Sequence, residues 1–264
     1  MKTVLSIAGS DCSGGAGIQA DLKTYAAYGV FGMSVIVSVV AENTCRVIDM
    51  EHISDEMIRK QIDAVWEDMG ADGVKIGMLP EIYVMEAVAE KLRQYRPANV
   101  VIDPVMYAKN GCALMEKSAV DTLIETVVPL ADVLTPNIPE AERITGMTIR
   151  TAGDMEEAAR RIQGMGCRAA VVKGGHREGT ALDILCDGTR TWLFDGDRID
   201  SKHTHGTGCT FSSAIAAGLA LGMPLPEAVG QAKRYVTEAI RHAPALGRGY
   251  GPTNHFYFME TCAL

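Results

Sequence analysis

The chain has no apolar run approaching the ~18–20 residues that span a bilayer, so a transmembrane reading falls away at once. Positive charge is not in excess either: 25 Lys and Arg stand against 33 Asp and Glu, a net charge of −8. A nucleic-acid backbone or an anionic membrane is therefore not the expected partner. A polyanion could be held only by a local cluster of N–H groups, lysines or metal ions. No Cys-x-x-Cys pair occurs, and the seven cysteines (12, 45, 112, 167, 186, 209 and 262) are odd in number and widely spaced. That excludes a disulfide framework and a zinc knuckle, and most are expected to be small core residues. The Walker pattern G-x-x-x-x-G-K-[ST] is missing, which excludes a P-loop. The opening "MKTVLSIAGSD" enters a strand and then polar glycines without signal-peptide anatomy, so a cytoplasmic protein is expected. Linkers, repeats and low-complexity tracts are also missing, and one domain over residues 1–264 is the expectation.

What is present is alternation. Short apolar runs at Thr3–Ala8, Ser34–Ala41, Gly73–Gly77, Asn99–Val105, Asp132–Pro136 and Ala169–Gly175 read as strands. Between them, Ile18–Tyr28, Asp55–Met69, Glu81–Tyr95, Lys117–Val127, Pro139–Thr145 and Met155–Met165 read as helices. Nearly continuous Val/Ile runs mark strands buried on both faces, hence an α/β fold with a mostly parallel central sheet. "ALDILCDG" and "RTWLFDG" form a two-strand excursion, each closed by Asp-Gly. Two long helices, Thr207–Leu221 and Leu225–His242, finish the chain.

In such sheets ligands gather at the carboxyl ends of the strands. The loops to read are thus "GSDCSGGAG", "AENT", "KIGM", "DPVM", "TPNIPEAE", "KGGH" and "GTGCT". "GAGIQA" (Gly15–Ala20) matches the dinucleotide pattern G-x-G-x-x-G/A, with the acid Glu42 further on. An NAD-binding dehydrogenase is a rival on that ground. Against it, "GSDCSG" separates the strand from the glycines, a longer loop suited to wrapping a small substrate.

"GTGCT" sets Gly206, Thr207 and Gly208 at the mouth of a helix, followed by Cys209. Consecutive bare N–H groups and the helix dipole there hold an anion. The same field is expected to lower the thiol pKa, so Cys209 would take a proton from a substrate hydroxyl while the N–H groups hold a transferring phosphoryl group. The alternative is a small packed cysteine beside glycines that permit close approach. Other loops add to the first reading, because phosphoryl transfer wants Mg²⁺, a cation and donors around the phosphate. Asp103 in "DPV" ends a strand and suits Mg²⁺ or its water; Asn137 and Glu140, three residues apart at a helix start, can face one metal–water cluster; Lys173 in "VKGGH" suits a phosphate. Singly each is ordinary turn, cap or surface chemistry; at successive strand ends they read as one site.

Together "AGSDCSGGAGIQADLKT", "YGVFGMSVIVSVVAENT", "VKIGML", "VIDPVM", "LTPNIPEAE", "VKGGH", "THGTGCTFSSAIAAGLA" and "AKRYVTEAI…GPTNHF" closely resemble the hydroxymethylpyrimidine/phosphomethylpyrimidine kinases of thiamine biosynthesis, in the ribokinase-like superfamily, in order from about residue 2 to 256. The resemblance implies a three-layer α/β/α fold, ATP as co-substrate and Mg²⁺. It implies two steps: phosphorylation of 4-amino-5-hydroxymethyl-2-methylpyrimidine, then of its monophosphate to the diphosphate. Cys209 matches the family's catalytic cysteine, where the superfamily's sugar kinases use an aspartate. Gly206 and Gly208 match its anion hole, and Lys173, Asn137 and Glu140 its nucleotide-phosphate and Mg²⁺ positions. Gly9, Asp21, Met78 and Val105 match its pyrimidine pocket. A homodimer is the prior for a soluble enzyme of this size.

One departure stands out. Where the family reads Ala-Gln-Asn-Thr, this chain has "AENT", putting Glu42 on the pyrimidine edge. An ionised carboxylate accepts from the 4-amino group but donates nothing to a ring nitrogen. Either Glu42 is protonated, or the ring binds protonated as a charge-assisted pair, or substrate preference has moved, or the swap is isosteric. Tyr107 also stands where a smaller apolar residue is expected. A pyridoxal/pyridoxine kinase is the runner-up, since the two hydroxymethyl heteroaromatics are alike in size.

Overall fold

The computed structural model describes residues 1–107, 115, 117–175 and 180–259. Among these, nine strands make one sheet: β1 (Thr3–Asp11), β2 (Phe31–Glu42), β3 (Val47–His52), β4 (Gly73–Ile76), β5 (Val100–Ile102), β6 (Val133–Leu134), β7 (Ala169–Val172), β8 (Asp183–Cys186) and β9 (Thr191–Phe194). Their order is β3-β2-β1-β4-β5-β6-β7-β8-β9. Neighbours from β2 to β7 pair parallel, while β3, β8 and β9 pair antiparallel. The order reverses at β1, where β2 lies on one side and β4 on the other, opening a crevice at the carboxyl ends.

The period of two decides which layer each side chain joins. Val100, Ile102, Leu134, Ala170 and Val172 pack under α2 (Asp55–Trp66), α3 (Ile82–Tyr95), α5 (Ile138–Thr145) and α6 (Ala152–Gly164). The intervening Val101, Val133, Ala169 and Val171 pack under α1 (Gly17–Ala27), α7 (Thr207–Ala220) and α8 (Leu225–Arg241). Strands covered on both faces need apolar residues at every position, which explains the unbroken Val/Ile runs. The result is the expected three-layer α/β/α sandwich.

Differences from the sequence reading have local causes. β3 follows a sequence, Val-Ile-Asp-Met-Glu-His, that has no apolar run, because it is an edge strand with several exposed side chains. The helix from Lys117 keeps α form only in α4 (Lys117–Thr122), widens to a π turn at Leu123–Val127 and tightens at Val128–Leu130. Pro129 has no N–H to donate back along the helix and its ring crowds the preceding turn. The β8–β9 hairpin closes as its Asp-Gly predicts: the Asp187 carboxylate accepts from the N–H groups of Thr189 and Arg190 at 2.9 and 2.8 Å. Of the described cysteines, Cys167 and Cys186 are buried, Cys209 is half-buried, and Cys12 and Cys45 are exposed. Cys112, Cys262 and the His176 of "VKGGH" lie outside the described residues. No helix among the described residues is long and apolar enough to cross a membrane.

Candidate active site

The first glycine loop is built on one carboxylate. Asp11 ends β1 and accepts from the N–H groups of Ser13 (2.7 Å), Gly15 (3.1 Å) and Ala16 (2.8 Å). The Gly14 N–H is also taken, by the Asp11 carbonyl at 3.0 Å. Donors satisfied inside the loop are not available to a pyrophosphate, so the dinucleotide reading of "GAGIQA" loses its binding groups. Asp11 also meets His205 Nε2 at 2.8 Å. Burial opposes the Asp11 charge, but the bonds from His205, Ser13 and Ala16 outweigh it and hold the acid at about 2.

The second glycine loop is different. α7 starts from Gly206, whose φ of 79° is left-handed and whose side offers no cap. A Cβ there would lie 1.8 Å from the Gly15 carbonyl oxygen, so only glycine lets the two loops touch. Helix geometry leaves the first N–H groups without intrahelical acceptors. Thr207 N–H reaches the Thr204 carbonyl at 3.4 Å; those of Gly208 and Cys209 have no acceptor among the described residues. A Cβ on Gly208 would stand 3.2 Å from Asp103 Oδ2 and 3.5 Å from Lys173 Nζ, so the bare N–H groups lie against a charged pair.

That pair is tight. Lys173 Nζ donates to Asp103 Oδ1 at 2.6 Å, and Thr135 Oγ1 adds a bond to the same oxygen at 3.2 Å. Burial disfavours the Lys173 charge, yet Asp103 and Glu140 raise its pKa above the ordinary lysine value. Asn137 and Glu140 form a capping box at the start of α5: Asn137 Oδ1 accepts from Glu140 N–H at 3.0 Å, and Glu140 Oε2 accepts from Asn137 N–H at 2.8 Å. Among the described residues, the other oxygen, Oε1, has only a 3.4 Å bond from Met106 N–H. Burial pushes Glu140 up to about 7, Asp103 adds to the rise and Lys173 opposes it. An under-satisfied carboxylate oxygen beside Asp103, with oxygen donors only, suits a hard cation such as Mg²⁺.

These groups share one cavity of about 930 Å³. Its lining includes Gly9, Glu42, Met78, Val105 and Tyr107, then Asp103, Asn137, Glu140, Lys173 and Gly206–Cys209, and also Arg198, Ile199, Lys233, Val236, Thr237 and Ile240. Glu42 closes β2 beside Asp11 and His205, the three offering ligand atoms within 4.8 Å of one another. Burial pushes Glu42 up to about 7, the Asp11 charge adds to this and His205 opposes it. Tyr107 accepts from Arg143 Nη1 at 3.0 Å at the rim.

Two expectations are corrected. Asp21 does not line the cavity: it is fully buried behind it, paired with Lys75 Nζ at 2.8 Å and accepting from Ser6 Oγ at 2.5 Å and Ser213 Oγ at 2.7 Å. The Cys209 thiol is not lowered. Burial pushes it up to about 11, Asp21 and Asp103 add to the rise, and Lys75 and the Gly17 N–H oppose it. Burial and the two nearby carboxylates both disfavour the thiolate and together outweigh what favours it.

The phosphomethylpyrimidine kinase family model matches residues 11–254. The chain belongs to that family. It is 51% identical to a thiamine biosynthesis bifunctional protein of Geobacter sulfurreducens over 98% of this chain, which spans about half (53%) of that longer relative. Identity to the hydroxymethylpyrimidine/phosphomethylpyrimidine kinase of Bacillus subtilis is 45% over 96% of this chain and 94% of the relative. A pyridoxal kinase of Bacillus subtilis, solved with ADP, superposes with a TM-score of 0.92 at 39% identity, covering 98% of both chains.

In this kinase three features of the site escape the sequence reading. Asp11 and His205 are joined across the fold, which spacing does not reveal. The cavity lining from Lys233, Val236, Thr237 and Ile240 comes from α8, whose residues at intervals of three and four carried the signal. Lys75 hides in an apolar strand run.

Proposed function

We propose that the chain is an ATP-dependent kinase that phosphorylates 4-amino-5-hydroxymethyl-2-methylpyrimidine and then its monophosphate, as one domain, acting as a homodimer in the cytoplasm. The observation that carries this reading is the approach of Gly208 to Asp103 and Lys173. It sets bare N–H groups, a cation and two carboxylates around one point, with a thiol beside it.

The nucleotide lies against the α8 residues of the cavity and directs its terminal phosphate at the start of α7. The N–H groups of Gly208 and Cys209 then meet charge that grows on the transferring oxygens. Lys173 adds a fixed positive charge that does not titrate at neutral pH. Asp103 and Glu140 would hold Mg²⁺, which supplies neutralisation of the phosphate oxygens. The pyrimidine lies on Gly9, Met78 and Val105 with its hydroxymethyl group toward Cys209. Protonated Glu42 presents one donor and one acceptor, as an amide does, and so meets the amino group and the ring nitrogen together. Proton removal comes late in a loose phosphoryl transfer. The thiolate of Cys209 takes that proton as the new P–O bond forms, and because the thiolate is a minority species turnover rises with pH.

Pyridoxal phosphorylation is the second reading, favoured by the likeness to the Bacillus subtilis pyridoxal kinase. An ATP-consumption assay over hydroxymethylpyrimidine, its monophosphate, pyridoxal and ribose separates the two. Highest kcat/KM on the pyrimidines is the expected result; a preference for pyridoxal moves the function to the second reading, and activity on ribose alone contradicts both.

A further inference from the structure

The mechanism above leaves a fully buried cation unused. Lys75 sits in β4 between the fully buried Val74 and Ile76, and both it and its partner Asp21 are closed off from solvent. Its Nζ bends forward along the strand: a Cβ on Gly77 would lie 2.9 Å from it. It donates to both Asp21 oxygens at 2.8 Å.

Asp21 connects this cation to the helix that carries the thiol. Gly17 and Asp21 are one turn apart on α1, as Cys209 and Ser213 are on α7. The two helices meet at both steps: the Gly17 N–H faces the Cys209 sulfur, and Ser213 Oγ donates to Asp21 at 2.7 Å. The charged or titratable groups acting on Cys209 are Lys75, Asp21, Asp103, Lys173 and the enclosed Tyr25 hydroxyl.

We propose that Lys75, held by Asp21, is a positioning residue for phosphoryl transfer: through the Lys75–Asp21–Ser213 link it fixes α7 against β4 and α1, and with it the place of Cys209. Packing alone gives no reason for it, because a buried ion pair is commonly replaced by apolar or neutral residues without loss of stability. A charge fixed where water is excluded acts more strongly on its neighbours than one at the surface. Lys75 and Lys173 both oppose the burial of the thiol, and of the two only Lys75 is fully closed off from solvent. The inference rests on the reading of Cys209 given above.

The test compares Lys75→Met, the double variant Lys75→Met with Asp21→Asn, and Cys209→Ala, using melting temperature and steady-state kinetics with hydroxymethylpyrimidine and MgATP. The single Lys75 variant leaves a buried carboxylate unpaired and melts lower or fails to fold; the double variant removes both charges and regains stability. The expected result is a double variant that melts near the wild type, with kcat down about 100-fold and both KM values within about threefold. A double variant with wild-type kcat overturns the proposal, as does one whose loss lies in KM. One that fails to fold overturns it too, since the pair would then serve the fold. If Cys209→Ala keeps full turnover, the reading of Cys209 itself fails; if it loses turnover while the double variant keeps it, only the role of Lys75 fails.

Discussion

His205 Nε2 lies 2.8 Å from Asp11 Oδ2, across 194 residues of sequence. The bond ties the glycine loop after β1 to the residue that precedes Gly206. Both glycine loops therefore depend on one carboxylate.

Asp11→Asn should loosen both loops. The acid falls from 3.8 in the unfolded chain to about 2 in the fold. Its contribution is thus fully present above pH 4 and is lost as pH falls through 2, and it amounts to about 2 kcal/mol. Thermal melts of the two proteins should differ at pH 7 and converge toward pH 2. An equal gap at both pH values would contradict the linkage.

Cys209→Ala should lower kcat about 100- to 1,000-fold while pyrimidine affinity, read by calorimetry, is kept. With burial pushing the thiol up to about 11, wild-type kcat should climb from pH 6 to 9. Cys209→Asp, ionised throughout that range, should show a flat profile. A flat wild-type profile would remove the thiolate from the transfer step.

Glu42→Gln should change two pH dependences. With the folded carboxyl pushed up to about 7 from 4.5, the fold keeps a proton that the unfolded chain releases between those values. Stability from this group is whole below pH 4.5, declines up to pH 7 and is level above. The variant should decline less over that window, with the remainder due to Glu140, also pushed up to about 7. Its KM for the pyrimidine should stay constant from pH 6 to 8, where that of the wild type rises. Superimposable profiles would show that the proton on Glu42 has no part in recognition.

Lys173→Ala leaves Asp103 and Glu140 facing each other without a cation. Steady-state kinetics should show kcat down at least about tenfold and a higher KM for MgATP, while the pyrimidine KM changes little. An unchanged MgATP profile would move the phosphate away from Lys173.

Much of this was legible from residues alone. Strands covered on both faces announced themselves because Val101 and Ile102 must both be apolar although they point to opposite layers. The strand-end rule found Asp103, Lys173 and Cys209 because a parallel sheet gathers its loops on one edge. Sequence failed where a contact spans the chain or where burial reverses a trend. Asp21 is four residues from Gly17, and nothing in that spacing says that it turns inward to Lys75. The helix field at Cys209 suggested a lowered thiol, and only the packing shows desolvation to be the larger effect. β3 was invisible because an edge strand with several exposed side chains need not be apolar.

The most direct measurement is a crystal structure with a non-hydrolysable ATP analogue and hydroxymethylpyrimidine bound together. The account predicts the terminal phosphate within hydrogen-bond reach of the Gly208 and Cys209 N–H groups, with the hydroxymethyl oxygen between it and the Cys209 sulfur. A terminal phosphate seated away from the start of α7 would contradict it.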